Sequence, residues 1–383
     1  MITVRVLISG GGTGGHVNPA LAIAGIIKKK NPEAVIEFIG TERGLETMLV
    51  PREGYKLRFV KVRGFKRKIC RENIEAAKEA VTSVFEAKKI IKEFKPDIVI
   101  GTGGYVCWPV LKAASSMKIP TVIHEQNAVA GVTNKILSGF VDKVMISFEA
   151  SRECFKHKEK LVFTGNPIKL EMLCADRNAG RRELGLSDDV PLILSYGGSL
   201  GARRVNDTCY EMIERFSENA NVMHIHATGK SGFAYAKNHF TSRGYKECDD
   251  GSLVHNNVTV REYIYNMPSL IAAADVVISR AGAMTVSELA AMKKAAVMIP
   301  SPNVTNNHQY KNAKVLADAG GAILIEEKDL TGEVLSETVK SLCENPEKRH
   351  ELERNIGKFA VTDSLERIYG VISDTLNAKK KRK

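Results

Sequence analysis

Cysteine is scarce in this sequence, and the cysteines form no metal or disulfide motif. The seven cysteines among 383 residues include no Cys-x-x-Cys pair. This usage is typical of a reduced cytosolic protein that has neither a disulfide framework nor a zinc site. The N-terminus leads directly into a strand pattern, so we expect no secretory signal. No apolar run approaches the roughly 18–20 residues that span a bilayer.

Aromatic residues are scarce as well, at 6% of the chain with one tryptophan. They are not interleaved with the basic residues, as they are in proteins that stack nucleic-acid bases, and no nucleic-acid recognition motif is present. We therefore expect no nucleic-acid partner. The Walker pattern G-x-x-x-x-G-K-[ST] is also missing, so the sequence predicts no P-loop.

Charge is distributed unevenly along the chain, whose formal net charge is +12. Residues 1–165 carry 27 Lys/Arg and 16 Asp/Glu, a balance of +11, whereas residues 166–383 carry 29 and 28, a balance of +1. The terminal "KKKRK" supplies five positive charges of the second half. On charge alone, the N-terminal half is predicted to meet an anionic surface, either nucleic acid or acidic lipid.

Apolar, β-rich runs alternate with helical patterns in two successive series. Strands are predicted at 4–9, 34–40, 97–104, 120–127 and 143–148, and then at 191–199, 221–229, 274–282, 295–302 and 321–327. This alternation predicts an α/β protein with two doubly wound, Rossmann-like parallel sheets. The segment "TGNPIK" (164–169), between the two series, is the candidate hinge.

Each series contains a strand that runs into Gly-Gly-[Ser/Thr]-x-Gly, in "LISGGGTGG" (7–15) and in "LSYGGSLGA" (194–202). Glycine lets backbone N–H groups approach a ligand closely, and a helix N-terminus adds a partial positive charge. Both loops are therefore predicted to hold phosphate or pyrophosphate. Because ligands bind outside the carboxyl ends of parallel strands, we expect both loops on the walls of one cleft.

Two further glycine clusters are "GTGGYVCWP" (101–109) and "SRAGAMTVSE" (279–288). In the second, a helix is predicted to start near Met284. Its first residues would offer backbone N–H groups and the Thr285 hydroxyl to a phosphate. Glu288, one turn later, would accept hydrogen bonds from ribose hydroxyls, or would only favour the helix dipole.

An alternative interpretation of the first loop is that it binds a dinucleotide. Gly10, Gly12 and Gly15 match G-x-G-x-x-G, and Glu42 lies near the position of a ribose-binding acid. This match would indicate an NAD-dependent enzyme. The additional glycines, the terminal His16 and the second glycine loop argue against it.

Seven blocks follow one another along the chain: "GGTGGHVNPALAIA", "GGY", "HEQN", "GNP", "GGSLGA", "RAGAMTVSELA" and "NNHQYKNA". In this order they resemble the MurG family of bacterial peptidoglycan N-acetylglucosaminyltransferases, from about Val4 to Gly321. The resemblance implies a GT-B fold, with two Rossmann-like domains facing across a cleft. It also implies inverting transfer of N-acetylglucosamine (GlcNAc) from UDP-GlcNAc to lipid I, the undecaprenyl-pyrophosphate-linked muramoyl-pentapeptide. The products would be UDP and lipid II with a β-1,4 linkage.

The resemblance implies no cofactor and no metal. The Asp-x-Asp pattern with which another glycosyltransferase fold holds Mg²⁺ or Mn²⁺ is absent, so a helix N-terminus would have to stabilise the departing UDP. We expect an acceptor and membrane-docking domain at 1–165 and a donor domain at 166–359. The C-terminal helix, at about 360–378, is expected to pack back on the first domain.

The resemblance places the nucleotide sugar in the C-terminal domain. Ile264 would meet uracil through backbone groups, Ser199 would flank the diphosphate, and Glu288 would hold the ribose. The remaining predicted contacts are to the α-phosphate (Ala283, Met284 and Thr285) and to the sugar hydroxyls (Gln309 and Asn312). Lys169 is also predicted at the nucleotide, although the family usually has arginine there and lysine cannot make the same bidentate contact.

The resemblance places the acceptor pyrophosphate against Thr13, Gly14, Gly15 and Tyr105, with Asn127 near the transferred sugar. His16 matches the family's candidate base, because a neutral imidazole can take the proton of the attacking hydroxyl. In the alternative, His16 binds pyrophosphate and Glu125 is the base. A helix N-terminus is expected to lower the pKa of His16 and keep it neutral.

Basic and apolar residues occur together at 63–71 and in the predicted helix at 74–95, a mixture that favours an anionic membrane surface. With membrane-bound lipid I as acceptor, this predicts a peripheral protein on the cytoplasmic face of the cell membrane. Cell-wall synthesis and division proteins are further implied partners. Within the same fold, a diacylglycerol glycosyltransferase is the alternative, which "GGTGGHVNPA" disfavours.

Overall fold

A computed structural model describes residues 4–64, 71–198, 201–216 and 221–380. The chain divides into two compact units. Unit 1 consists of Met1–Ile168 and Asp363–Lys383, and unit 2 consists of Lys169–Thr362.

The described part of unit 1 contains one parallel sheet of seven strands in the order β3-β2-β1-β4-β5-β6-β7. The strands are β1 (Arg5–Ser9), β2 (Val35–Gly40), β3 (Lys56–Phe59), β4 (Ile98–Gly101), β5 (Thr121–Glu125), β6 (Lys143–Ile146) and β7 (Leu161–Phe163). Helices between them are α1 (Gly14–Lys30), α2 (Glu46–Arg52), α3 (Arg71–Phe94), α4 (Cys107–Ser116) and α5 (Val132–Leu137).

Apolar residues on both faces of this sheet are buried, as in other parallel sheets covered by helices on each side. One buried cluster joins Leu7, Val99 and Ile123 to residues of α3 and α4. A second cluster joins Ile8 and Ile100 to residues of α1. The sheet is therefore doubly wound.

Unit 2 has an eight-stranded sheet among its described residues, in the order β10-β11-β12-β9-β8-β13-β14-β15. The strands are β8 (Leu192–Tyr196), β9 (Met223–Ala227), β10 (Lys246–Glu247), β11 (Leu253–His255), β12 (Val258–Arg261), β13 (Val276–Ser279), β14 (Ala295–Met298) and β15 (Ile323–Leu324). The helices are α6 (Leu170–Leu173), α7 (Arg177–Glu183), α8 (Arg203–Phe216), α9 (Phe233–Thr241), α10 (Met267–Ala273), α11 (Ala283–Ala291), α12 (His308–Ala317), α13 (Gly332–Glu344) and α14 (Pro346–Gly357).

The predicted class of two doubly wound, Rossmann-like units is confirmed, with one departure in unit 2. Strands β10, β11 and β12 form an antiparallel edge, which the sequence analysis did not predict. The turn between β11 and β12 consists of Asn256 and Asn257, and Asn256 has a φ of 47°. Asparagine tolerates this left-handed conformation, which tight hairpins require.

The last helix, α15 (Ser364–Lys380), returns to unit 1. It packs on α1, β5 and β6. Ile368 and Ile372 are buried there, and Lys30 forms a 2.8 Å ion pair with Glu366. None of the helices in the described ranges is long and apolar enough to cross a membrane.

Candidate functional site

The glycine-rich segments of unit 1 meet at one edge of its sheet. Strands β1, β4 and β5 are neighbours, and the segments after their carboxyl ends, at 10–16, 102–106 and 126–131, contain the predicted residues Thr13 to His16, Tyr105 and Asn127. Because parallel strands end at the same edge, the fold brings together segments that are up to about a hundred residues apart in the sequence. This edge is where doubly wound sheets bind ligands.

His16 lies in the first turn of α1, and its hydrogen bonds determine its tautomer. Its Nδ1 is 3.1 Å from the carbonyl oxygen of Gly11 and 3.3 Å from Oγ1 of Thr13. A carbonyl oxygen can only accept, so Nδ1 carries the hydrogen and donates it to Gly11. The lone pair is therefore on Nε2, the atom that a general base would use.

Burial lowers the pKa of His16 below its ordinary value, so the imidazole is neutral near pH 7. The hydrogen bond to the Gly11 carbonyl and the negative charges of Glu125 and Glu46 act in the opposite direction. The predicted direction of the shift is therefore confirmed. Burial is the largest cause of the shift, and the effect of the helix N-terminus stays a prediction.

Close packing around His16 explains the glycines at 103 and 104. A Cβ on Gly103 would lie 2.7 Å from Cδ2 of His16, and a Cβ on Gly104 would lie 2.5 Å from the carbonyl oxygen of Gly11. Both residues have positive φ angles, of 111° and 86°. The hydroxyl of Thr102 donates to the His16 carbonyl at 2.8 Å. These glycines therefore let the β4 loop pack against the β1 loop and His16.

The other predicted acceptor residues surround the start of α1. Thr13 is its exposed N-cap, and Gly14 and Gly15 begin the helix, where backbone N–H groups have no partner within the helix. The half-buried Tyr105 ring lies beside Gly12, with its Cε1 3.9 Å from the place of a Cβ there. This arrangement offers amides and one aromatic ring to an anionic ligand.

Glu125, at the end of β5, is buried, and both of its carboxylate oxygens accept hydrogen bonds. Oε1 accepts from the backbone N–H and the side-chain amide of Asn127, at 3.0 and 3.1 Å. Oε2 accepts from Gly131 N and Asn134 Nδ2, both at 2.9 Å. Four donors stabilise the carboxylate and tie it to the 126–134 segment, which suits a positioning charge better than an accessible base.

Glu46, at the start of α2, is a site residue that was not predicted from the sequence. Its side chain is fully buried below the β1 glycine loop and accepts from the backbone N–H of Gly12 at 2.8 Å. It also accepts from the backbone N–H and the hydroxyl of Thr41, both at 2.9 Å. The available signal was an acidic residue in "GTERGLE", where the analysis had considered Glu42.

In unit 2, the β8 glycine loop borders an open cavity of about 620 Å³. Gly201, at φ 81°, packs so closely that a Cβ would lie 2.2 Å from the Thr228 carbonyl oxygen. Three arginines (Arg203, Arg204 and Arg280) and two acidic residues (Asp207 and Glu327) line the cavity, which leaves a balance of one positive charge. Arg280 also forms an ion pair with Glu327. The predicted diphosphate residue Ser199, and Leu200 beside it, lie outside the described residues.

The loop after β13 leads into α11 through Gly282, as the sequence predicted. Ala283, Met284 and Thr285 form the first turn of this helix. Burial raises the pKa of Glu288, and the positive charge of Lys169 partly opposes that shift. The structure therefore brings Lys169 close enough to Glu288 for their charges to interact.

Gln309 and Asn312, both predicted sugar ligands, differ in exposure. Gln309 lines the cavity, and its Oε1 accepts from the backbone N–H of Ser301 at 2.8 Å. Asn312 is fully buried and donates to the Ala281 carbonyl at 3.2 Å. It therefore has no surface for a ligand in this conformation, and it supports the turn that precedes α11. The Ile264 side chain is buried, which leaves its backbone for the predicted uracil contact.

A buried histidine pair lies in the sheet of unit 2. Ser195 Oγ is 2.7 Å from both His224 Nε2 and His226 Nδ1. Burial lowers both pKa values, that of His226 to about 3. Both rings are fully buried, so this group belongs to the interior of the sheet. In the described ranges, no cluster of three His, Cys, Asp or Glu side chains could hold a metal ion.

Family comparisons cover most of the chain. Residues 6–146 match the glycosyltransferase family 28 N-terminal domain, and residues 192–368 match the family 28 C-terminal domain.

Relatives match over almost their full length. A protein of Acetivibrio thermocellus is 47% identical, over 98% of this chain and 99% of its own. One of Ruminiclostridium cellulolyticum is 45% identical, over 97% and 100%. Both are named UDP-N-acetylglucosamine–N-acetylmuramyl-(pentapeptide) pyrophosphoryl-undecaprenol N-acetylglucosamine transferase. The crystal structure of Acinetobacter baumannii MurG has 29% identity and a TM-score of 0.76, over 97% of this chain and 99% of that one.

Proposed function

Since the chain belongs to glycosyltransferase family 28, we propose that it transfers GlcNAc from UDP-GlcNAc to lipid I. The products are lipid II, with a β-1,4 linkage, and UDP, so the protein is a hexosyltransferase of peptidoglycan synthesis. The near full-length match at 47% identity to transferases of this name carries the proposal. The predicted family, GT-B fold class and enzyme class are confirmed.

The donor is assigned to unit 2. The first turn of α11 supplies N–H groups for the α-phosphate, and Glu288 accepts from the ribose. The arginine-lined cavity beside the β8 loop suits the negative diphosphate. We also assign to UDP-GlcNAc the residues that the family resemblance implies (Lys169, Ser199, Ile264, Ala283, Met284, Thr285 and Gln309). Asn312 acts indirectly, by holding the turn before α11.

The acceptor is assigned to unit 1. Its muramoyl hydroxyl oxygen attacks the anomeric carbon of GlcNAc and loses its proton to Nε2 of His16. The bond between the anomeric carbon and UDP breaks with inversion, and UDP leaves with the electron pair. The positive end of α11 stabilises that negative charge.

His16 is the better base of the two candidates. Its Nε2 carries a lone pair, and burial keeps the ring neutral. Glu125 instead has both oxygens engaged by four donors. We assign Glu125 to positioning and to stabilising the imidazolium. Thr13, Gly14, Gly15, Tyr105 and Asn127 are assigned to the acceptor.

The test is UDP release from UDP-GlcNAc, with and without a short-chain lipid I analogue, and with UDP-Glc and UDP-Gal as donor controls. Release that requires both UDP-GlcNAc and lipid I supports the proposal. Release from UDP-Glc or UDP-Gal with diacylglycerol, and none with lipid I, would replace it with the diacylglycerol alternative.

A membrane surface on α3 is the proposed means of reaching the lipid acceptor. Ile74, Val81 and Phe85 are 61%, 61% and 66% exposed, and their spacing puts them on one face of the helix. Lys78, Lys88 and Lys92 continue that face, and Lys88 lies over the Phe85 ring at 5.8 Å. Each lysine near an anionic leaflet contributes about 1 kcal/mol. The protein is then peripheral, on the cytoplasmic face of the cell membrane.

Parts of the predicted membrane segment have other roles. Arg63 donates to Glu79 and Glu75, and Ile91 is buried against the sheet. Trp108, the one tryptophan, packs edge-on against Phe140 beside the α4 core. Residues 65–70 lie outside the described part of the chain. Binding to cell-wall synthesis and division proteins stays a prediction, which rests on the family resemblance.

Vesicle co-sedimentation tests this surface. The double variant Val81→Ser and Phe85→Ser should lose most binding to anionic vesicles, whereas Met48→Ser, which removes a similarly exposed apolar side chain from α2, should bind as the wild type does. Equal binding by both variants would remove α3 from the proposed membrane surface.

A further inference from the structure

Glu46 is a carboxylate buried directly behind the β1 glycine loop. Three donors hold it, namely Gly12 N at 2.8 Å and the backbone N–H and hydroxyl of Thr41 at 2.9 Å each. Hydrogen bonds from such donors favour the ionised form of a carboxylate and offset part of the cost of burying it.

Three glycines make room for this one side chain. A Cβ would lie 2.5 Å from Glu46 Oε1 if placed on Gly11, 2.5 Å from its Cγ on Gly40, and 1.9 Å from its Oε2 on Gly44. Gly11 and Gly40 both have φ angles outside the left-handed region that favours glycine. Space for Glu46, rather than backbone conformation, therefore accounts for glycine at these two positions.

The charge of the Glu46 carboxylate also affects the pKa of His16, the proposed base. Its negative charge, like that of Glu125, raises the pKa of His16 against the effect of burial. Cys107 also interacts with Glu46, but burial raises the pKa of that thiol to about 11, so it is neutral near pH 7. The charges of two carboxylates, on α2 and β5, thus act on His16, and either would stabilise an imidazolium.

We propose that Glu46 is a positioning residue for proton transfer, which holds the glycine loop through the Gly12 amide and stabilises the imidazolium that forms on His16. This inference rests on the proposed function, because it takes His16 as the base. It assigns a role to a residue outside the acceptor-binding loops. It also implies that the Gly12 N–H is committed to protein and is not available to pyrophosphate.

The experiment uses Glu46→Gln, which removes the charge at nearly constant volume. Its control is Glu37→Gln on β2, which removes a carboxylate that pairs with Arg58 and Lys56. Two quantities are measured on the full chain: the NMR titration of the His16 ring, assigned with His16→Gln, and the pH profile of kcat/KM for the lipid I analogue.

In Glu46→Gln we expect the His16 titration and the acid limb of kcat/KM to move together to lower pH. The removed charge no longer favours the protonated ring, and kcat should fall roughly tenfold. Glu37→Gln should leave both where they are in the wild type. An unchanged His16 titration in folded Glu46→Gln, or an equal shift in Glu37→Gln, would overturn the inference.

Glu46→Asp provides a second variant in case the glutamine variant does not fold. It keeps the charge, so it should retain the His16 titration and most of kcat even if its melting temperature falls. A folded Asp variant with a wild-type titration and a kcat more than roughly tenfold lower would overturn the electrostatic role. Failure of the wild type to release UDP would count against the proposed function, whereas the NMR titration would still decide whether Glu46 acts on His16.

Discussion

The glycine loops after β1 and β8 share the pattern Gly-Gly-[Ser/Thr]-x-Gly, yet their surroundings carry opposite charge. Unit 1 has two buried carboxylates near this loop edge, Glu46 behind the β1 loop and Glu125 at the end of β5. Beside the β8 loop of unit 2, three arginines and two acidic residues line the cavity, with a balance of one positive charge. The glycine pattern alone therefore does not indicate which chemistry a loop supports.

The charge of each half of the sequence is a poor guide to the charge of its site. Residues 1–165 carry an excess of +11, but the charges that shift the pKa of His16 are those of two carboxylates, Glu125 and Glu46. Part of the excess lies on the exposed face of α3, at Lys78, Lys88 and Lys92. The basic composition thus describes the surface of unit 1, and the carboxylates suit its site to proton transfer.

The largest expected effect is that of His16→Ala. Loss of the base should lower kcat by about 10²–10⁴-fold. UDP-GlcNAc affinity should be unchanged if the donor depends on unit 2 alone. Steady-state UDP release and calorimetric titration with UDP-GlcNAc measure the two quantities. A kcat within a few-fold of the wild type would eliminate His16 as the base.

Gly103→Ala is expected to cause the second-largest loss of kcat, because its methyl group would lie 2.7 Å from the His16 ring. Displacing a catalytic group by about 1 Å can cost on the order of 100-fold in rate. Gly54→Ala is the matched control, since Gly54 also has a positive φ, of 78°, but has open space around its Cβ position. It should lose only about 1 kcal/mol of stability. Comparing the kcat values of the two variants separates the collision with His16 from backbone strain.

Glu288 should make donor binding depend on pH. Burial raises its pKa, and only its ionised form accepts hydrogen bonds from both ribose hydroxyls. UDP-GlcNAc affinity should therefore be constant above that raised pKa and weaken as the pH falls through it. Glu288→Gln should bind UDP-GlcNAc roughly tenfold more weakly with a flat profile, because the doubly esterified diphosphate of this ligand does not titrate in this range. A wild-type affinity that does not change between neutral and acid pH would contradict this role.

The smallest effect on catalysis is expected from Ser195→Ala. The change removes the bridge between His224 and His226 and should lower the free energy of unfolding by about 1–3 kcal/mol. UDP release at saturating substrate should stay at the wild-type rate, because these rings are part of the interior of unit 2. Denaturant titration and the steady-state assay check the two parts of this prediction. A large loss of kcat would connect the histidine pair to the site.

Most of the fold could be predicted because long apolar strands alternate with helical patterns. The strands that were missed are short or antiparallel. Strand β3 is a four-residue edge strand, and β10 has two residues, too few for a periodicity to be read. The only sequence signal for the β11–β12 hairpin is the pair Asn256 and Asn257, and no turn was predicted from it.

The residues of the candidate site were predicted where they lie in glycine loops. Glu46 was not, because its role depends on Gly40 and Gly44 making space for its carboxylate, which is a property of packing. The family resemblance assigned Asn312 to the sugar together with Gln309, but its side chain is fully buried. Sequence order identifies the loops, whereas the direction of each side chain depends on the fold.

The separate roles of the two loops are tested most directly by calorimetric titration of UDP into Gly201→Ala and Gly103→Ala. Each substitution puts a methyl group on a glycine at positive φ, in unit 2 and unit 1 respectively, and thermal melts confirm that both variants are folded. We predict that Gly201→Ala loses UDP binding and that Gly103→Ala binds UDP with wild-type affinity. Loss of UDP binding in Gly103→Ala, with binding retained in Gly201→Ala, would contradict it.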